Sequence, residues 1–200
     1  ACRWNQRRLW PVTKRVGDAL ARVGVAVPAA GLGRRMGGVR KPFLELAGKP
    51  VLLRSLSPFL AEPRVTAIAI SVTREELDNQ PEWLTDLDKR IVIVEGGATR
   101  GASVACAIAA LPDDVTEIAV HDGARPLVAP EVISRCIDLA STGVGAVAGE
   151  PMIDTVKRVD KEDFVTATTD RSTLWSAHTP QVFPAMMLRA AYSKGYPVAT

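Results

Sequence analysis

Two hundred residues, 47% apolar and 24% charged, suit one sizeable α/β domain with its own core, and no apolar run is long enough to cross a bilayer. The formal net charge of +3 is unevenly placed: residues 1–23 hold six basic side chains against Asp18 alone, while the rest of the chain carries 19 basic and 21 acidic ones. That balance excludes the broad basic surface nucleic acid requires. The three scattered cysteines (Cys2, Cys106, Cys136) form neither a disulfide framework nor a metal cluster and point to a reducing, cytoplasmic compartment.

Residues 1–23 read as a basic leader of unassigned role, without a signal-peptide pattern. A plastid transit segment is an alternative reading, although no serine occurs there. From residue 24 on, one domain is the economical reading. "VGVAVP" (Val23–Pro28) is a buried strand and "KPVLLRSLSPFL" (Lys49–Leu60) a helix. Strands follow at "VTAIAISV" (Val65–Val72) and "RIVIVEGG" (Arg90–Gly97), then a helix through "ASVACAIAAL" (Ala102–Leu111). A fourth strand, "EIAVHDGARP" (Glu117–Pro126), ends in a polar loop. The helix "PEVISRCIDLAS" (Pro130–Ser141) has Pro in its first turn, and "GAVAGEP" (Gly145–Pro151) is a fifth strand. Alternation of this kind, with strands apolar throughout, predicts a mostly parallel, Rossmann-like sheet sandwiched by helices. After Pro151 the short, alternately polar segments "TVKRV", "FVTATTD" and "PQVF" predict a mixed edge or a protruding β-arm over about 151–183.

Ligands of such sheets bind beyond the carboxyl ends of the strands, and four polar segments fall there. "PAAGLGRRM" (Pro28–Met36) sets Gly31 and Gly33 beside Arg34, Arg35 and, further on, Lys41. Glycines admit a ligand close to the backbone, and the charges suit a triphosphate. The P-loop order is absent and a dinucleotide fingerprint fits poorly; a solvated surface turn is the plain alternative. "EGGATRGAS" (Glu95–Ser103) offers Gly96–Gly97 to a flat base and Ser103 as helix cap or ligand contact. In "VHDGARP" (Val120–Pro126), Asp122 can meet a metal or polar substrate, or simply form an Asp-Gly turn. In "DTVKRV" and "TTDRSTLWSAHTPQVF", Thr155, Lys157, Arg171 and Thr179 can hold a phosphorylated polyol, or form an edge hairpin. The two histidines, His121 and His178, lack companions for a zinc site. Nor is there a nucleophile elbow for a Ser–His–Asp hydrolase.

Together, "PAAGLGRRM", "HDGARP", "DTVKRV", "DRSTLW" and "TPQVF" resemble the nucleotidylyltransferases (nucleotide-diphospho-sugar transferase fold), most closely the methylerythritol phosphate cytidylyltransferase family. The resemblance runs from about Val25 to Tyr196. It implies cytidylyl transfer from CTP to 2-C-methyl-D-erythritol 4-phosphate with loss of pyrophosphate, in non-mevalonate isoprenoid synthesis. It also implies Mg²⁺ held mainly by the nucleotide phosphates, with the protein's own metal-binding residues unknown, and a homodimer that meets neither membrane nor nucleic acid. By the same matching, Arg35 and Lys41 would be catalytic. Ala29, Ala30, Gly31, Gly96, Gly97 and Ser103 would hold the nucleotide. Asp122, Arg125, Thr155, Thr179 and, from the second subunit, Arg171 would hold the polyol phosphate. The chain departs from the family pattern at Arg40-Lys41-Pro42 and Ala98 and stops at "GYPVAT", which implies that the family's C-terminal segment is missing from 24–200. Rival readings are a related enzyme using ribitol 5-phosphate or a nucleotide-sugar, and a non-catalytic nucleotide-binding domain. A nicotinamide dehydrogenase is disfavoured, because no acid for a ribose 2′-OH follows "ISVTR".

Overall fold

The computed structural model describes residues 21–31 and 40–193. In chain order the elements are β1 (Val23–Pro28), β2 (Glu45–Leu46), β3 (Lys49–Pro50), α1 (Val51–Leu60), β4 (Val65–Val72), α2 (Arg74–Asp78), α3 (Glu82–Thr85) and β5 (Ile91–Glu95). They continue with α4 (Arg100–Ala110), β6 (Glu117–Val120), α5 (Pro130–Ala140), β7 (Ala146–Pro151), β8 (Lys157–Val159), β9 (Val165–Thr168), β10 (Trp175–Pro184) and α6 (Ala185–Ser193). Tight 3₁₀ turns occupy Lys41–Phe43 and Arg171–Thr173.

The main sheet has the order β5-β4-β1-β6-β10-β7. Its first four strands pair in parallel, as the βα alternation predicts, and β10 runs antiparallel to both neighbours. The residues of β1 sort to two faces by their period of two. Val23, Val25 and Val27 join Leu52, Leu56 and Phe59 of α1 and Ile133 and Ile137 of α5 in one core layer. Ala26 meets Val104, Ala107 and Ile108 of α4 in the other, which α6 completes with Ala185 and Leu188. On that second face Gly24 and Ala26 lie in register with Ala67 and Ala69. Small residues there let the helix layer sit close: a Cβ on Gly24 would come 2.9 Å from Leu111. Helix α5 buries Ile133, Cys136, Ile137 and Ala140, the stripe that its 3.6-residue period dictates. Each fully buried Ile or Leu of these layers contributes roughly 1.5–3 kcal/mol.

Two expectations change. Residues 151–183 are not one arm: Trp175–Pro184 is a strand of the central sheet, with Val182 fully buried between β6 and β7. The excursion is the β8–β9 hairpin, exposed at every strand residue. "PQVF" reads as arm because Gln181 and Pro180 interrupt its apolar character, and its two neighbours are far away in sequence. As expected, the strand in Glu117–Pro126 gives way to a polar loop: it ends at Val120, where the chain turns to build the site. Lys49–Pro50 pairs with Glu45–Leu46 rather than starting α1.

Candidate active site

Because β1, β4, β5 and β6 are parallel, their carboxyl ends open on one edge of the sheet. After β1, the Ala29 N–H donates to the Ser71 carbonyl at 2.7 Å, extending the pairing by one residue. Arg40 then ties the two described ends of the basic stretch together. Its Nη2 donates to the Ala29 carbonyl at 2.9 Å and to Glu76 at 2.6 Å. Glu76 is held in turn by the capping box it forms with Thr73 at the start of α2. Lys41 follows directly and is exposed. Arg35, with Gly33 and Arg34, lies outside the described residues.

The turn after β5 is shaped by close approach. A Cβ on Gly96 would stand 2.5 Å from the Ala30 Cβ, and one on Gly97 2.4 Å from that of Ala102, so only glycine lets this turn lie against the β1 loop. Gly96 N–H donates to the Val72 carbonyl at 2.8 Å. Ser103 is not the helix cap: Thr99 is, accepting from Ala102 N–H. The buried Ser103 hydroxyl accepts from Gly97 N–H and donates to the Gly97 carbonyl, both at 3.1 Å. It braces the glycine turn from beneath. Ala29, Ala30, Gly96, Gly97 and Ser103 are thus brought together, and the exposed Gly31 lies beyond them.

The loop after β6 carries the charge. Asp122 is gripped from two sides, by Arg100 at 2.6 Å and Arg125 at 3.0 Å. Burial pushes its carboxyl up, but the hydrogen bond and charge of Arg100, then those of Arg125, overcome this and hold it below the usual carboxylate range. Beneath it lies a closed hydrogen-bond circuit. Asp122 N–H donates to the Thr179 hydroxyl at 3.2 Å, which is 3.0 Å from His121 Nδ1, while His121 Nε2 is 3.1 Å from the Arg125 carbonyl. The circuit closes with every group satisfied when Thr179 donates to Nδ1 and Nε2–H donates to the carbonyl, so His121 is neutral. Burial lowers its pKa to about 4, and its ring packs on Phe59 at 4.8 Å. Ser55 of α1 donates to the Gly123 carbonyl at 3.1 Å, fixing the loop from the helix layer.

Asp122, Arg125 and Thr179 therefore form one cluster. Thr155 and Arg171 lie apart from it in the bonding pattern. Arg171 donates to the Ile153 carbonyl, and both side chains are exposed on the excursion. Lys157, expected beside them, donates to Thr168 across the hairpin. Sequence reading does not name Arg100, names Arg40 only as a departure from the family pattern, and weighs the histidines only for a zinc site or a hydrolase triad. The signal for Arg100 was its place in "EGGATRGAS", but its partner is 22 residues away. Among the described residues no three acids, histidines or cysteines cluster as a metal site. The strand-end carboxylates Glu76, Glu95 and Asp122 each already face an arginine.

Residues 23–200 match the family model of 2-C-methyl-D-erythritol 4-phosphate cytidylyltransferase (IspD). The chain is 40% identical over 171 residues to the 2-C-methyl-D-erythritol 4-phosphate cytidylyltransferase of Parasynechococcus marenigrum (strain WH8102), covering 84% of this chain and 75% of that one. To the enzyme of the same name from Acaryochloris marina (strain MBIC 11017) it is 39% identical over 175 residues, covering 84% and 73%. Its fold is similar to the crystal structure of 4-diphosphocytidyl-2C-methyl-D-erythritol synthase from Anaerococcus prevotii DSM 20548. That match has a TM-score of 0.78 at 25% identity, over 90% of this chain and 79% of that one.

Proposed function

The chain belongs to the 2-C-methyl-D-erythritol 4-phosphate cytidylyltransferase family, and from that membership we propose how its strand-end site works. The enzyme is a nucleotidyltransferase of isoprenoid biosynthesis. The phosphate of methylerythritol 4-phosphate attacks the α-phosphorus of CTP, and pyrophosphate leaves. The observation that carries the assignment of halves is the position of Arg100. It starts helix α4 directly after the glycine turn and reaches Asp122 in the loop after β6. The nucleotide lies on the side of Ala29, Ala30, Gly96 and Gly97, where backbone is laid open to a flat base. The polyol phosphate lies on the side of Asp122, Arg125 and Thr179. Arg35 and Lys41 supply positive charge at the triphosphate, in a reaction where positioning and electrostatics replace a protein nucleophile.

Mg²⁺ arrives as part of the nucleotide substrate, a reading supported by Glu76, Glu95 and Asp122, strand-end carboxylates that each already face an arginine. The protein's share is to place the phosphates against its cations. The site is completed in a homodimer, with Thr155 and Arg171 presented to the neighbouring subunit. Supporting this, Val159, Phe164, Val165 and Trp175 expose apolar surface on and beside the β8–β9 hairpin. A cytoplasmic location fits the free Cys106 and Cys136. No helix of the described residues is long and apolar enough to cross a membrane.

Pyrophosphate release with CTP, UTP, ATP or GTP, each with and without methylerythritol 4-phosphate, tests the reading. Release should require both CTP and the polyol phosphate. Equal release from UTP would move the protein to the sugar-nucleotide branch; release supported by ribitol 5-phosphate alone would replace the acceptor. Nucleotide binding without release would mark a non-catalytic domain.

A further inference from the structure

Arg125 is pinned at two corners. Its Nε donates to Asp122 at 3.0 Å, and its Nη1 lies 2.9 Å from His178 Nδ1. An arginine is always protonated and only donates, so Nδ1 must be the bare nitrogen of His178. The His178 proton then sits on Nε2, and that nitrogen is 3.2 Å from the Glu150 carboxylate, an acceptor that selects this tautomer. Glu150 comes from β7 and His178 from β10, neighbours in the sheet. The β7–β10 register breaks between Ala177 and Gln181, and His178 stands inside that break.

We propose that His178, oriented by Glu150, is a positioning residue that fixes the Arg125 guanidinium for the phosphate of the polyol substrate. Among the described residues Nη2 of Arg125 makes no hydrogen bond, and its side chain is 44% exposed. Two fixed corners set the plane of the guanidinium and leave the third turned to the ligand. Arginine carries many rotamers, and ordering it before the substrate arrives removes that cost from binding. His178 itself touches no reacting atom. The proposal rests on the placement of the polyol phosphate at Asp122 and Arg125 and adds what holds the binding group still.

Steady-state kinetics of the full chain test it, with melting temperatures recorded for every variant. His178→Ala should raise KM for methylerythritol 4-phosphate about tenfold, the worth of one hydrogen bond to a charged group. It should leave kcat and KM for CTP within about twofold. His178→Asn places Oδ1 near the position of Nδ1 and should recover most of the loss. Glu150→Gln still accepts from Nε2–H and should be nearly silent, whereas Glu150→Ala should behave as a milder His178→Ala. His178→Ala added to Arg125→Ala should cost nothing further. An unchanged KM in His178→Ala while Arg125→Ala raises it, or no recovery in His178→Asn, or additive losses in the double variant, would overturn the positioning role alone. If Arg125→Ala itself leaves KM for the polyol phosphate unchanged, the placement of that substrate fails, and this inference with it.

Discussion

His121 shows how one residue can serve the site without meeting a ligand. It is fully buried, packed against Phe59 with the rings tilted, and joined to the two chain segments that carry Asp122 and Thr179. Its folded pKa of about 4 lies below the ordinary histidine value of 6.5, so the unfolded chain takes up a proton that the folded one refuses. The stability this contributes is complete above pH 6.5 and is lost as pH falls toward 4. The full loss is about 3 kcal/mol, with more than half already gone at pH 5. Urea midpoints should therefore drop between pH 6.5 and 5, before most carboxylates titrate, and His121→Asn should flatten that part of the profile. The same slope in the variant would refute the assignment. Asp122, whose folded pKa is lowered, contributes stability above the unfolded carboxylate range and loses it only at more acid pH. Its effect is separable in the same titration.

At the scale of elements, the division of residues 151–184 between sheet and excursion makes a direct comparison possible. Val182 and Val165 are both strand valines in β-prone stretches, yet one is fully buried and the other 62% exposed. Val182→Ala opens a cavity between β10 and the helix layer and should cost about 2 kcal/mol in urea titration of the subunit. Val165→Ala should stay within about 0.5 kcal/mol. Equal costs would mean that the two strands share one environment. Strand β10 delivers Thr179 beneath Asp122, which ties it to the proposed polyol side of the site. Softening the strand should thus disturb the polyol side of the site before the glycine turn, which belongs to β5 and α4.

For the molecule as a whole, Arg171 bonds to the Ile153 carbonyl on the excursion and not within the Asp122 cluster, which fits the proposal that a second subunit completes the site. Lys41→Ala and Arg171→Ala chains should each be inactive, and chains mixed under exchange should regain one working site per heterodimer, because both changes then fall in the same site and leave the other whole. Absence of rescue despite exchange, or a monomer in sedimentation at micromolar concentration, would sink the shared site. An apolar, unpaired hairpin left to solvent would itself be an association hazard.

Some of this architecture is written in short stretches of chain. The buried runs Val23–Pro28 and Val65–Val72, the Pro130 helix start with its i, i+3, i+4, i+7 stripe, and the paired glycines after β5 are local patterns. They depend on side-chain period and turn chemistry, so sequence alone determined the parallel βα core and where the strand ends would gather. It also determined, through five motifs in order, the family. What neighbours across that edge was decided by the tertiary structure. Arg100 finds Asp122, Arg40 finds Ala29 and Glu76, and His178 finds Arg125 and Glu150. The insertion of β10 between β6 and β7 is of the same kind. These pairings join residues from 11 to 53 positions apart. No periodicity links such residues; only the closing of the sheet brings them within bonding distance.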